Sequence, residues 1–432
     1  MRLPDRLWVP ALAAGLLALA FVGALLVKAD GDPSLLVHAG APCTTVAAAP
    51  PTTACAADAS TVRHDGDAAP TGARGSLTVQ RADEAFDGQF FYRIGVAPVS
   101  RASRVDGVQF DLPALRNARW GYGALAYVFS AGDPDLVPWS LIGLNVVAMV
   151  AVAGIGGALA RTGGRHAAWG LLLALWPGFA YSLSLDTSEL VASAFLLGGL
   201  LAIRHRKWGG AGMLLAAAAL MRDTTAVVPF GVLLAGVWTW WTTRTPEPGP
   251  AAIDSTVPAV ASRRRVQAVW VGLIVAGWTP LFDFGIWQLV QRARFGALPL
   301  TSSGDNNLTA PLGGLVHELG QVLPPSGGDE AFRLLCIVGL VALVGAAAWC
   351  WRTSTTPLAE RVAWVPAVAV VALLNAYLWS GATAFLRAAT EVGLLSILVI
   401  LGSRRERLVV LCGLGLAGLW ILTAASQVAK LG

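Results

Sequence analysis

Residues 137–160 read VPWSLIGLNVVAMVAVAGIGGALA, a stretch with no charged side chain that is closed by Arg161. As a helix it would be longer than the roughly 30 Å hydrocarbon layer of a bilayer, so it predicts a membrane-crossing helix. Ten further runs are mostly apolar: Leu7–Val27, Ala167–Leu185, Leu190–Ile203, Gly209–Met221, Thr225–Trp241, Val266–Val290, Ala331–Trp351, Val362–Trp379, Phe385–Leu401 and Leu408–Val428. Leu190–Ile203 and Gly209–Met221 are shorter than the roughly twenty residues of a straight span, which points to tilt or to burial inside a bundle. A soluble 432-residue chain with 55% hydrophobic and 13% charged residues would be covered in exposed apolar surface. The expected fold is therefore one all-α polytopic integral-membrane domain, residues 1–432, with about eleven transmembrane helices.

The formal charge of +5 is compatible with nucleic-acid binding or with orienting charges on membrane loops, and placement decides between them. Strict alternation from Arg2 and Arg6 puts Arg161/Arg165, Arg204/Arg206/Lys207, Arg244 with Arg263–Arg265, Arg352/Arg361 and Arg404/Arg405/Arg407 on one side. This is the positive-inside pattern, and it predicts a multi-pass plasma-membrane protein with a cytoplasmic N-terminus and no nucleic-acid partner. The first run is read as an uncleaved helix, because it is long and no small-residue cleavage site closely follows Val27.

Three connections stand out. Residues 28–136 form a first extracytoplasmic loop too long to be a mere connector. Its first half, APCTTVAAAPPTTACAADAST, has a poorly ordered composition and carries Cys43 and Cys55, for which a disulfide and two free thiols both stay open. Cys336, Cys350 and Cys412 lie in apolar runs and read as packing residues. In the second half, Asn117–Ser130 is too short to span and reads as an interfacial helix with Trp120 and Tyr122 at headgroup level. Residues 292–330 form a second outer loop that could fold over the first, and residues 243–265 read as a Pro- and Ala-rich cytoplasmic linker.

Asp83, Glu84 and Asp87 cluster just before Phe90, Phe91, Tyr92 and Arg93. One reading is a solvated acidic turn that caps a helix beginning near Phe86. The other is a reactive carboxylate beside Gly88 and Gln89, which permit close approach of a ligand, and beside aromatics suited to a sugar face or an isoprenoid tail. Further charges fall at predicted outer helix ends: Asp186 and Glu189, Arg222 and Asp223, and Arg387 with Glu391, the last two spaced for an i, i+4 ion pair. His317 adjoins Glu318 but has no second histidine at ligand spacing, so no metal site is expected. No glycine-rich phosphate loop is present, which fits a lipid-linked rather than a nucleotide-linked donor.

DGQFFYRIG (87–95), RWGYGALAY (119–127), LWPGFAYSLSLDTSEL (175–190), LMRDTTAV (220–227) and ARFGALPL (293–300) together resemble bacterial members of the glycosyltransferase-C superfamily. The likeness is to a clade with a Tyr-Asp-Gly-Gln-Phe-Tyr-Tyr-like signature, loosely similar to the GPI mannosyltransferases. It covers most of the chain apart from residues 37–77. This chain departs from the pattern in having Phe86 before the aspartate and in its long insert. The resemblance implies a membrane glycosyltransferase that moves a sugar, mannose-type or arabinose-type, from polyprenyl phosphate to a cell-envelope glycolipid or glycan, with a catalytic acid in the first outer loop. Asp87 matches that position, with Asp83 and Glu84 beside it. Inverting transfer needs a base for the acceptor hydroxyl and cations for the leaving phosphate. Arg93, Arg116 or Arg119 could supply the latter, as could Arg222 and Arg387, and ordinary headgroup contact is the competing role for the loop arginines. Gln89, Tyr92, Asp186, Glu189 and Asp223 complete the expected substrate-binding set. The runner-up function is a transporter or lipid flippase, which should carry its ionisable groups on broken helices near the bilayer midplane.

Overall fold

The computed structural model describes residues 5–39, 55–56, 62–64, 77–79, 86–102, 104–106, 108–244, 259–302 and 307–431. Asp83, Glu84, Cys43, most of the Ala/Pro/Thr-rich stretch and residues 245–258 of the 243–265 linker lie outside the described residues. The chain is mostly helical. In order the helices are α1 Trp8–Lys28, α2 Gly88–Val96, α3 Pro113–Ala118, α4 Trp120–Ser130, α5 Val137–Thr162, α6 Leu171–Ala174, α7 Gly178–Ser184, α8 Glu189–Arg204 and α9 Trp208–Met221. They continue as α10 Val227–Arg244, α11 Ala259–Phe295, α12 Gly313–Val322, α13 Gly328–Cys350, α14 Leu358–Ala372, α15 Ala376–Trp379, α16 Ala382–Ala388, α17 Thr390–Leu401 and α18 Glu406–Lys430.

Six of these segments, α1, α5, α13, α18, the 223–244 segment containing α10 and the 266–295 part of α11, are long and apolar enough to cross a membrane. Two bent pairs raise the number to eight if each counts as one span: α6 with α7, bent by 65°, and α16 with α17, bent by 59°. Three shorter helices, α8, α9 and α14, account for the remaining apolar runs of the sequence. This is the composition of an all-α membrane protein.

The packing follows the distribution of apolar surface. Every residue of α7 and of α17 is buried, so both bent pairs form the centre of the bundle and the long helices surround them. Small residues allow close approach: a Cβ on Gly170 would stand 2.0 Å from the Gly157 nitrogen, so only glycine lets that turn lie against α5. The breaks of the two central pairs are neighbours, since buried Trp176 donates through Nε1 to the Leu386 carbonyl at 3.1 Å.

The charged helix ends separate. At one end Arg204, closing α8, grips Glu360 in α14 through two bonds of 2.6 Å. Nearby, Arg165 donates to the Leu401 and Ser403 carbonyls, and Asp5 before α1 accepts from the Ala167 amide. These basic residues cap the last carbonyls of helices that would otherwise lack partners. The other end is where α1 finishes and α5, α8 and α10 start. It carries residues of the first loop, including short strands β1 Cys55–Ala56, β2 Val62–His64, β3 Leu77–Val79, β4 Arg104–Val105 and β5 Val108–Gln109. Strand β5 lies between β1 and β4, antiparallel to both, and β2 runs parallel to β3.

Two loop expectations change. The 117–130 segment is not one interfacial helix but α3 and α4, broken at Arg119, and Tyr122 is not at headgroup level. Its ring is fully buried, its hydroxyl donates to the Leu141 carbonyl at 2.9 Å and accepts from Asn145, because a phenol can enter the core once both hydrogen-bonding roles are filled. The second outer loop docks mainly on the chain after α14, through Thr309 to Leu373 at 2.7 Å and Asn375 to Asn307 at 3.0 Å. Among the described residues, its start packs on the first loop, Pro299–Thr301 against α3 and Arg294 donating to the Val99 carbonyl at 3.2 Å.

Candidate functional site

Asp87 immediately precedes α2 but makes no side-chain capping bond, which removes the capping role. Its carboxylate turns to three guanidinium groups. Oδ1 accepts from Arg116 Nη1 at 2.7 Å, while Oδ2 accepts from Arg119 Nη1 at 3.1 Å and from Arg387 Nη2 at 2.8 Å. Gly88 makes this placement possible. A Cβ there would lie 2.5 Å from the Leu185 carbonyl oxygen and 2.6 Å from that of Val37, so the start of α2 is wedged between two backbone segments.

Each arginine holds a second carboxylate. Arg116 takes Asp111 in a two-point grip of 2.8 and 2.6 Å, Arg119 takes Asp223 at 3.0 Å, and Arg387 takes Glu189 at 2.8 Å. Behind Arg387, Arg222 pairs with Glu189 and lies 3.3 Å from Glu391, and it also donates to Thr224 and to the Arg387 carbonyl. Four guanidiniums and five carboxylates thus form one continuous cluster, drawn from α3, α8, α16, α17 and the residues just before α2, α3, α4 and α10. The break at Arg119 between α3 and α4 lets that side chain reach both Asp87 and Asp223.

Burial grades along the cluster. Asp87 keeps 19% of its side-chain surface exposed, whereas Glu189 keeps 1%. Arg116 and Arg119, at 22% and 24%, share that partial exposure, and Glu189 and Arg222 form the buried base beneath. Burial alone would raise the Asp87 pKa, but the positive charges of Arg116, then Arg387 and Arg119, outweigh it and hold the carboxyl well below the usual carboxylate range. In this resting arrangement Asp87 is a weak base. Arg119 is pushed the other way, above its ordinary value, chiefly by Asp223.

Other expected site residues lie elsewhere. Tyr92 donates to Asp106, and Arg93 donates to the Val108 and Ala102 carbonyls with its guanidinium 3.9 Å from the centre of the Phe110 ring. Both fasten the β4–β5 region to α2, apart from the charged cluster. Phe90 and Phe91 are likewise packing residues, against Phe110 and Tyr122. The i, i+4 pair of Arg387 and Glu391 does not form, since the bend between α16 and α17 separates the two residues and sends Arg387 to Asp87 and Glu189. Asp223 pairs with Arg119 and not with its neighbour Arg222.

Asp186 stays outside the ion network. It is fully buried at a backbone φ of +47°, neither carboxylate oxygen has a hydrogen-bond partner, and burial pushes its pKa well above the ordinary value. Gln89 is buried behind Asp87, bonded through Nε2 to the Phe86 carbonyl, with its Oε1 unpartnered. Asp111 was not marked by the sequence as a site residue. Its only signal is the Asp-Leu-Pro start of α3, five residues ahead of Arg116.

A cavity of about 380 Å³ lies at the opposite, basic end, between the ends of α5, α8 and α17 and residues 355–359. It is not the better candidate site. The guanidinium of Arg204 in its wall is fully engaged by Glu360, the Leu159 carbonyl and Thr162. No family model, no curated protein and no solved structure matches the chain.

Proposed function

We propose that the chain is a membrane glycosyltransferase that passes a sugar, mannose-type in the leading reading, from a polyprenyl-phosphate donor to a hydroxyl of a cell-envelope glycolipid or glycan. The observation that carries this reading is the contact of one partly exposed carboxylate, Asp87, with three guanidiniums at one end of the bundle. Asp87 takes the proton of the acceptor hydroxyl, the acceptor oxygen bonds to the anomeric carbon with inversion, and the bond from that carbon to the phosphate oxygen breaks. The donor phosphate carries one negative charge and leaves with two, while Asp87 goes from one to none. Negative charge passes from carboxylate to phosphate under the same arginines, which bind phosphate oxygens as readily as carboxylate. As the phosphate draws Arg119 and Arg387 away, Asp87 regains the proton affinity those cations suppress.

The topology proposed with this function has eleven crossings, with α8, α9, α14 and the two bent pairs completing the bundle in the plasma membrane. The N-terminus is cytoplasmic and Asp87 extracytoplasmic, as the positive-inside distribution requires. A reporter fused after Ser60 should read extracytoplasmic and one after Ala252 cytoplasmic, and finding both on one side overturns this topology.

A second reading, a transporter or flippase of a lipid-linked anion, is favoured by one observation: the two broken helix pairs meet beside the cluster at Trp176 and Leu386. Purified protein in lipid vesicles, given polyprenyl phosphate carrying radiolabelled mannose or arabinose and an envelope-lipid extract, separates the two. Label appearing on an acceptor supports transfer. Label that only crosses the bilayer on its original lipid rejects transfer in favour of transport.

A further inference from the structure

Gln288 and Gln291 lie one helical turn apart near the outer end of α11. Gln291 is fully buried, and neither its Oε1 nor its Nε2 has a hydrogen-bond partner. Gln288 is also buried; its Oε1 accepts from the Leu300 amide at 3.3 Å and its Nε2 is unpartnered. An unsatisfied buried polar group destabilises the fold, so a leucine or methionine in place of Gln291 would suit an empty protein better.

The position of this pair is informative. Neighbouring Trp287 donates through Nε1 to the Ala118 carbonyl at 3.0 Å, which pins this part of α11 to the residue before Arg119. Helix α11 packs here against α3, whose Arg116 holds Asp87, and against the Pro299–Thr301 turn. Two neutral carboxamides with free donors and a free acceptor therefore lie on the stretch of α11 that packs beside the α3 segment carrying Arg116. A carboxamide donates and accepts at once, which matches neighbouring hydroxyl groups of a sugar. A phosphate calls for cations, and an isoprenoid tail calls for apolar walls.

We infer that Gln291 and Gln288 form a subsite for the hydroxyl groups of the sugar on the lipid-linked donor, next to the arginines that hold its phosphate. This rests on the glycosyl-transfer reading and adds to it the residues that recognise the sugar.

The test compares two probes, polyprenyl-phosphate mannose and bare polyprenyl phosphate, by thermal shift and binding to purified wild type, Gln291→Leu and Gln291→Met. Wild type should be stabilised more by the sugar-bearing lipid. Without ligand, both variants should melt at or above the wild-type temperature, since no buried amide is left unpaired. Their affinity for the sugar-bearing lipid should fall by about tenfold or more, the worth of one or two sugar hydrogen bonds, with bare polyprenyl phosphate bound as before. If both variants keep the preference for the sugar-bearing lipid, or both melt well below wild type without ligand, the subsite assignment is overturned while the donor reading stands. If neither lipid binds wild type, the donor reading fails and the subsite falls with it.

Discussion

Replacing Asp87 by asparagine keeps the side chain's size and removes its charge and its ability to accept a proton. The structural cost is bounded by the second partners of the three arginines. Arg116 keeps Asp111, Arg119 keeps Asp223 and Arg387 keeps Glu189, so no guanidinium is stranded. Stranding a buried charge costs about 3–5 kcal/mol, whereas thinning three charge-assisted contacts around a partly exposed carboxylate should cost about 1–3 kcal/mol. Loss of a general base should lower turnover about a hundred- to ten-thousand-fold, far beyond what that loss of stability explains. The assay is transfer of labelled sugar from polyprenyl phosphate in membranes at matched protein levels, with melting temperature measured on the same preparations. Asp111→Asn is the control, because it thins the same cluster without touching the proposed base. Near-normal transfer by Asp87→Asn refutes the assignment. If Asp83→Asn or Glu84→Gln abolishes transfer instead, the base is the neighbouring acid.

Arg222 is sealed between Glu189 and Glu391 beneath the exposed part of the cluster, so Arg222→Ala should destabilise the fold by about 3–5 kcal/mol, and Arg264→Ala, at the opposite end of α11, should leave melting and transfer unchanged. Equal melting of the two variants would remove Arg222 from the structural base. Burial raises the Asp186 pKa above its unfolded value, so its contribution is fully present below about pH 4 and is lost as pH rises toward the folded pKa. Melting curves from pH 4 to pH 8 should therefore show Asp186→Asn gaining on wild type as pH rises; a constant deficit at every pH would mean that Asp186 has a charge partner. Gly88→Ala should cut transfer by about a hundredfold while the protein still inserts, because the start of α2 must move away from the Leu185 and Val37 carbonyls and a displacement of about 1 Å at a reacting group costs that much. Normal transfer by Gly88→Ala would show that the position of Asp87 is not critical.

The membrane architecture was legible because apolar run length is set by bilayer thickness, and all eleven runs correspond to helical segments. Of the two breaks, the one between α6 and α7 has a local signal, Pro177–Gly178 inside an apolar run, where proline forfeits a helical hydrogen bond. The break at Ala389 has none, since AAT is compatible with continuous helix, and the missed bend is why Arg387 and Glu391 looked like a pair. Asp87, Arg119, Glu189, Arg222, Asp223 and Arg387 could be grouped because alternating spans bring the helix ends that carry them to one side of the bundle. Tyr92 and Arg93 stand apart from the Asp87 cluster for a geometric reason. Five and six positions beyond Asp87 on a helix, they project from other faces. Gln288 and Gln291 gave no signal in sequence, because a polar residue near the end of a spanning helix is unremarkable until its burial is known.

The charge balance of the cluster limits what it can do. Among the described residues, four guanidiniums against five carboxylates give it no surplus positive charge, so a bound anion must share arginines that a carboxylate already holds. In a low-dielectric setting an added uncompensated charge is expensive, whereas shifting a charge between groups that face the same cations costs little. Glycosyl transfer meets that condition, because Asp87 gives up its charge in the step in which the phosphate gains one. A transported anion would have to enter with a proton or cation of its own. Proton uptake accompanying the binding of polyprenyl-phosphate mannose without acceptor, measured with a pH dye in weakly buffered vesicles, should therefore be small for a transferase, whose base must stay unprotonated until the acceptor hydroxyl arrives. Uptake of about one proton per lipid bound would instead mark Asp87 as a coupling group and turn the reading to transport.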